Sequence, residues 1–479
     1  RFQDEIRLAD DAIILCDTVK GMPEGLSRHP VQEIPFSGLA AEAHAEGRAN
    51  MLVLGLLGGA LGLAREPLVA LADKHLAGKP AAYREAAAAC IDTGLQRALV
   101  LDKALPERQL GERWCLSGNQ AAAYGALHAG VRFVAAYPIT PASDLLEWMA
   151  APLEALGGEL VQAEDELAAI NMALGAAFGG IPAFTATSGP GLALMSDSLG
   201  LTVAAEVPVC VINVQRGGPS TGIPTKSEQS DLDIALHGLH GDAPHLVLAP
   251  LGIADCVFTT GWSVHLCQSL QTAGIVLSDQ FIGQSTVVID PPRHFESAET
   301  AAVPVDGEYL RYRLTESGIS TMASPGEPGS RFTADGLEHN ERGTPSAGSE
   351  DHARQLDKRR RKLEQFDFGD HWAECNGTGE IALVAFGSSA PVIAEAAAQA
   401  DMPLRTVALR LVSPLQVDAL ANALAGCSRV LVVEQNHSGQ LFDYLRSRLP
   451  ADVPLESYAR PGPIPLLPGE ILDRLEEAR

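Results

Sequence analysis

Positive charge is scarce in this chain: Lys and Arg total 35 against 60 Asp and Glu, a net charge of -25 at pH 7. A surface of that sign repels phosphate backbones, which excludes nucleic acid as a general partner. An acidic partner protein would need a local basic patch or another subunit to dock on. Close cysteine pairs are missing as well. The eight cysteines (Cys16, Cys90, Cys115, Cys210, Cys256, Cys267, Cys375 and Cys427) are scattered without a C-x-x-C, so a metal cluster held by this chain alone is not expected. Cys210, in VPVCVINV, reads as a small buried hydrophobe, and cysteines of that kind suit a reducing cytoplasm. No signal-like stretch opens the sequence, and the longest apolar run, residues 51–64, is broken by four glycines and is too short for a membrane span. Aromatic residues are only 5%. A core built without them relies on aliphatic and small side chains.

Those are abundant. Hydrophobic residues make up 46% of the 479, with 46 glycines, a profile of α/β enzymes in which Ala-rich helices cover Val/Ile-rich strands. The length predicts two to four domains. At the front, DDAIILC reads as a short strand and residues 50–64 as an apolar helix. No Gly-rich strand-to-helix turn precedes residue 11, so an incomplete α/β domain is expected over 1–105. After a charged, turn-prone stretch at 106–115, an Ala-rich helix at 120–129 opens a second region. There RFVAAYP, ELVQAE, AFTATS, VPVCVINVQ and HLVLAP alternate with helical segments, the rhythm of a mostly parallel sheet, assigned to 115–295. Turn formers dominate 296–375, which reads as an ordered connecting arm. Its charge run KRRRK at 358–362 is expected on a solvated helix face. From 376 to the end, IALVAFGSS, LRTVALR and RVLVVEQN predict a further α/β domain.

Four segments in the 115–295 region carry chemistry. In Tyr137-Pro138-Ile139-Thr140-Pro141 two prolines fix the backbone around Thr140, in a loop placed where open α/β sheets bind ligands; the bland alternative is a Pro-braced turn with Ser143 capping the next helix. Gln162-Ala163-Glu164-Asp165-Glu166 puts three carboxylates where a strand passes into a helix. Two suit the helix dipole, and one sheltered there could exchange protons. Thr187-Ser188-Gly189-Pro190-Gly191 permits close approach of a ligand or chain. In Gln215-Arg216-Gly217-Gly218-Pro219-Ser220-Thr221-Gly222 an arginine at a strand end meets a glycine-rich loop, an arrangement suited to bidentate binding of a carboxylate. Lys226 follows and could read a second carboxylate.

In this order YPITP, QAEDE, TATSGPG and VQRGGPSTG resemble the pyrimidine-binding domain of 2-oxoacid:ferredoxin oxidoreductase α subunits. GLEHNERGTPS with HARQLDKRRRKL, and the EQSDL region, resemble the 2-oxoglutarate branch; VVEQNHSGQL resembles its transketolase-C-like domain, and the front resembles part of a fused γ domain. The resemblance implies a multidomain α/β fold around a thiamine-diphosphate-binding parallel sheet, and CoA-dependent oxidative decarboxylation of a 2-oxoacid to acyl-CoA and CO2, or the reverse. It implies Glu164 as the carboxylate facing N1′ of the cofactor, with Glu166 in reserve. Thr140 and Arg216 then hold the substrate carboxylate, Lys226 reads a distal one, and Pro138, Ile139, Gly189 and Pro190 line the cofactor. The chain has no G-D-G motif and no cluster cysteines, so a β subunit is expected to bring Mg2+, the diphosphate contacts and a [4Fe-4S] cluster, pass electrons to ferredoxin, and form an (αβ)2 assembly. The readings set beside this are a pyruvate or branched-chain 2-oxoacid enzyme, a dehydrogenase or transketolase relative, and a non-catalytic scaffold. An apolar residue at 164 or 216 would favour the scaffold, and neither is apolar.

Overall fold

Why the chain forms a parallel sheet is visible in its longest strands. VCVINVQ and AGIVLSD are buried along their whole length, as strands covered by helices on both faces must be. The computed structural model describes residues 8, 12–19, 30–97, 111–292 and 307–477. The expected boundaries at 105 and at 295–296 fall outside the described residues. By contacts the chain divides into two units, Arg1–Gly111 and Glu112–Arg479.

In the first unit β1 (Ile14–Asp17) pairs in parallel with β2 (Val31–Ile34). Four helices follow: α1 (Phe36–Ala43), α2 (Ala49–Ala60), α3 (Arg65–His75) and α4 (Ala81–Gln96). The glycine-broken apolar run is thus α2. Its Leu52 and Leu56 are fully buried with Cys90 and Ile91 of α4, so the run serves a small core.

The second unit opens with β3 (Trp114–Ser117), α5 (Gly118–His128), β4 (Phe133–Ala136), α6 (Ser143–Ala155) and β5 (Glu159–Gln162). Ser117 and Gln120 close a capping box at the start of α5. Next come α7 (Glu166–Phe178), β6 (Ala183–Thr187), α8 (Gly189–Ala204), β7 (Val209–Gln215), α9 (Leu232–His237) and β8 (Leu246–Leu248). Then follow α10 (Asp255–Leu270), β9 (Ala273–Asp279), α11 (Gln280–Gln284) and β10 (Thr286–Ile289), which pairs antiparallel with β3. Past the arm lie α12 (Ser349–Glu364), β11 (Ala373–Asn376), β12 (Ile381–Phe386), α13 (Ser389–Gln399), β13 (Leu404–Leu409) and β14 (Leu411–Ser413). The last elements are α14 (Val417–Ala423), β15 (Arg429–Glu434), α15 (Gln440–Arg448), β16 (Leu455–Ala459) and α16 (Pro468–Glu477).

Two sheets organise this unit. The larger has the order β14-β8-β9-β7-β6-β4-β5, parallel except for β14, which crosses from the C-terminal segment and caps the edge at β8. The smaller is β11-β13-β12-β15-β16. From β4 the chain steps to β5 on one side and then returns to β6 on the other. That reversal opens a crevice at the carboxyl ends of the strands, the usual ligand position in such sheets.

The arm departs from its expected solvation. Lys358 and Lys362, four residues apart on α12, point inward and are fully buried on Glu206, at 2.5 and 3.1 Å. Arg311 adds a bond to the Glu206 carbonyl at 2.6 Å and one to Gln271 Oε1 at 3.0 Å. A charge run reads as solvated because burying an ion costs several kcal/mol; here one carboxylate behind the large sheet offsets that cost. Burial alone would push Glu206 up, but Lys362, Lys358 and Arg311 outweigh it and hold the carboxyl well below the usual carboxylate range. Lys362 is pushed down to about 8 by burial, against the pull of Glu206. Glu206→Gln should therefore strand two buried ammonium groups and cost about 3–5 kcal/mol in chemical unfolding. Arg360→Gln, on the exposed side of the same helix, should stay within about 0.5 kcal/mol.

Candidate active site

The four chemistry-bearing segments follow the carboxyl ends of four adjacent strands, β7, β6, β4 and β5 in spatial order. The sheet therefore sets Arg216, the Ser188–Gly191 turn, the Thr140 loop and the Glu164–Glu166 run side by side. Arg216 reaches across the end of β6, and its Nη1 donates to the Thr140 carbonyl at 2.6 Å. Asn119 Nδ2 braces the same loop through the Pro141 carbonyl at 2.9 Å. Ser143 begins α6, but no side chain caps that helix, so the expected Ser143 cap is not made.

The three carboxylates of the β5–α7 turn have separate fates. Asp165 caps α7 by accepting from the Ala168 amide at 2.7 Å. Glu166 is buried, and a Cβ on Gly191 would lie 2.6 Å from its Oε1 and 2.0 Å from Thr187 Oγ1. Glu164 is exposed. The shelter expected for one carboxylate thus belongs to Glu166, while Glu164 faces outward from this chain. Pro138 is exposed, Ile139, Gly189 and Pro190 half-buried, and Lys226 is half-buried beside the arginine turn, where its carbonyl accepts from the Gly217 amide at 2.9 Å.

Behind this row lies a set of buried polar groups that the motifs did not announce. Asp231, at the entry to α9, accepts from Asn213 Nδ2 at 2.8 Å, and its amide donates to Gln215 Oε1 at 3.1 Å. Of the ten buried side-chain polar atoms without a hydrogen-bond partner among the described residues, four belong to these segments: Ser188 Oγ, Asn213 Oδ1, Arg216 Nε and Ser230 Oγ. Buried polar atoms are rarely left so, and a cluster of them at a strand-end crevice marks a place for a polar ligand. Asn213 carried the one available signal, an amide inside an otherwise apolar strand.

Gln229 ties the same loop to the C-terminal segment. Its amide and both side-chain ends bond the smaller sheet: the Gln435 backbone at 2.7 and 2.9 Å, Ser389 Oγ at 2.7 Å and the Phe386 carbonyl at 2.7 Å. Glu434 in the VVEQN segment accepts from the Leu441 and Phe442 amides and so fixes the start of α15.

Residues 124–358 match the family model described as pyruvate flavodoxin/ferredoxin oxidoreductase, thiamine diP-bdg. The 2-oxoglutarate synthase subunit KorA of Methanothermobacter marburgensis is 33% identical over 343 residues, 69% of this chain and 90% of that one. The chain belongs to the 2-oxoacid:ferredoxin oxidoreductase α-subunit family. Subunit alpha of 2-oxoacid:ferredoxin oxidoreductase 1 from Sulfurisphaera tokodaii is 34% identical over 364 residues, 70% of this chain but only 57% of that protein, so the chain spans little over half of that relative. A solved 2-oxoglutarate:ferredoxin oxidoreductase from Magnetococcus marinus, with 2-oxoglutarate, coenzyme A and succinyl-CoA bound, superimposes with a TM-score of 0.89 at 34% identity, over 99% of this chain and 85% of that one. The family's α/β fold with its thiamine-binding sheet is the fold seen here. The residues present fit a thiamine group through the unpartnered Ser188 and Asn213 oxygens, which are free to bond a polar ring.

Asp231 provides a measurable check on this polar group. Burial raises its pKa; Asn213 and Arg216 oppose this and Glu228 adds to it, leaving it pushed up to about 6 from an ordinary 3.8. The folded state therefore holds more protons than the unfolded one between those values, so stability falls as pH rises through that window and stays reduced above it. Asp231→Asn should raise stability at pH 7.5 by up to about 3 kcal/mol and change little near pH 4, as read by urea unfolding at the two pH values.

Proposed function

We propose that this chain is the α subunit of a 2-oxoglutarate:ferredoxin oxidoreductase, which makes succinyl-CoA and CO2 from 2-oxoglutarate and coenzyme A or runs the reverse. The observation that carries the reading is the Arg216–Thr140 contact at the strand-order reversal. Arg216 makes no ion pair among the described residues, which suits a guanidinium kept for a carboxylate. Family membership and the likeness to the Magnetococcus marinus enzyme support the substrate and coenzyme A.

Each residue then has a task. Arg216 and the Thr140 hydroxyl orient the 2-oxoacid carboxylate, and Lys226 meets the distal one. Glu164 holds a proton at N1′ of the cofactor's pyrimidine ring, and Glu166 buttresses the Gly191 turn beneath it. Pro138, Ile139, Gly189 and Pro190 line the ring. Thiamine diphosphate, when bound, supplies the carbon that takes up the 2-oxoacid and the sink for its electrons after CO2 departs.

In this reading the site is shared. Glu164 is exposed, and so are Leu167 and Met172 of α7 and Leu194 of α8. Such apolar side chains beside a functional carboxylate suit a face that another subunit covers. A β subunit would bring the diphosphate contacts, Mg2+ and a [4Fe-4S] cluster, pass electrons to ferredoxin in the cytoplasm, and assemble as (αβ)2.

The test is anaerobic, 2-oxoacid-dependent reduction of a low-potential dye by the chain co-purified with its β subunit, with thiamine diphosphate and coenzyme A. We expect 2-oxoglutarate to drive reduction and Glu164→Ala to lower kcat by about 100-fold or more. Absence of reduction with every 2-oxoacid, in a complex that carries cofactor and cluster, sinks the reading. Full activity of the variant moves the carboxylate role to Glu166.

A further inference from the structure

The Thr140 loop does little to hold itself. Its backbone closes on Ile139, whose carbonyl accepts from the Ala142 and Ser143 amides at 2.8 and 3.1 Å. The next two carbonyls are taken by side chains from other elements. Arg216, at the end of β7, donates to that of Thr140 at 2.6 Å, and Asn119, near the start of α5, to that of Pro141 at 2.9 Å. Thr140 is exposed, while Pro141 beside it is buried. The direction of the Thr140 hydroxyl is therefore set by its backbone, and that backbone is pinned from two sides.

Asn119 is 1% exposed, and a buried amide has to find its partners inside the fold. Two neighbours fix where its head lies. The Ser117–Gln120 capping box sets the first turn of α5, and Gly118 lets that turn press on α11, since a Cβ there would lie 2.3 Å from the Ile282 carbonyl. One residue further along α11, a Cβ on Gly283 would lie 2.7 Å from Asn119 Oδ1, so the amide has its room because residue 283 has no side chain. Asp279 holds α11 in turn, its Oδ1 accepting from the Ile282 amide at 2.9 Å and from Ser227 Oγ at 3.0 Å. Ser227 follows Lys226, whose carbonyl closes the arginine turn. One short helix thus backs both the Thr140 loop and the loop that carries Arg216.

We propose that Asn119 is a positioning residue for the 2-oxoacid: through the Pro141 carbonyl it aims the Thr140 hydroxyl at the substrate carboxylate, and Gly283 gives it the space to do so. The inference rests on the proposed role of Thr140. A single bond at the Thr140 carbonyl leaves the chain able to pivot about it; the second bond, one residue on, removes the pivot. Asn119 acts through the loop and takes part in no bond change.

The experiment uses the co-purified complex. Asn119→Leu keeps the branched shape and drops the donor, whereas Gly283→Ala keeps Asn119 and crowds its amide from α11. Each is made in the wild type and in Thr140→Ala, and kcat/KM for 2-oxoglutarate is compared. In the wild-type background Asn119→Leu should cost up to about 100-fold and Gly283→Ala about tenfold. In the Thr140→Ala background either should cost less than about threefold more. A residue that only supports the fold loses the same factor in both backgrounds. That outcome, or no loss in the wild-type background, overturns the proposal; should Asn119→Leu fail to fold, Gly283→Ala decides. Full activity of Thr140→Ala removes the role on which the inference rests and overturns both, whereas equal losses beside an impaired Thr140→Ala overturn the positioning role alone. Amide hydrogen exchange needs no turnover: it should quicken at Ala142 and Ser143 in both variants and stay unchanged over β15. If no 2-oxoacid is turned over, the functional reading fails, and unchanged exchange at those two amides would show that Asn119 does not set the loop.

Discussion

Everything at the site depends on one reversal of strand order. Because β5 and β6 lie on opposite sides of β4, the loops leaving β4 and β6 part and open a crevice at the carboxyl edge. The register of the parallel strands then sets Thr187 beside Asn213, and β7 runs two residues further, to Gln215. Arg216, Thr140, Gly189 and Glu164 come from positions spread over some eighty residues of sequence. Only the sheet makes them neighbours.

Two buried polar clamps keep that edge in shape. Behind the sheet, Glu206 gathers Lys358, Lys362 and Arg311 and fastens the arm to the end of α8. In front, Gln229 ties the 217–231 loop to the strands of the smaller sheet with each of its polar groups satisfied. Fully satisfied buried networks of this kind hold one geometry against alternatives. The arginine loop is rich in glycine and would otherwise have little to fix it. Its anchoring explains how Arg216 can be aimed at Thr140 from a segment with so little packing of its own.

Much of this was legible in the sequence, for identifiable reasons. YPITP, TSGPG and QRGGPSTG announce themselves because proline and glycine report backbone geometry directly, and the strands before them alternate clearly with helices. AGIVLSD gives no such signal: its apolar start, close after α10, marks no change of period. The KRRRK run reads as solvated because composition does not say which face of a helix meets the core; its partner, Glu206, lies about 150 residues away in sequence. Asp231 and Asn213 were invisible for a related cause. Each is an ordinary polar residue until the fold buries it.

The central claim is that the carboxyl edge of β7, β6, β4 and β5 holds the reacting groups. The most direct measurement is electron density for the co-purified complex with thiamine diphosphate and 2-oxoglutarate bound. The account predicts the substrate carboxylate on Arg216 and Thr140, with the pyrimidine ring over the Gly189 turn and N1′ within hydrogen-bond reach of Glu164. A pyrimidine ring out of reach of both Glu164 and Glu166, or a 2-oxoacid carboxylate bound away from Arg216, would contradict it.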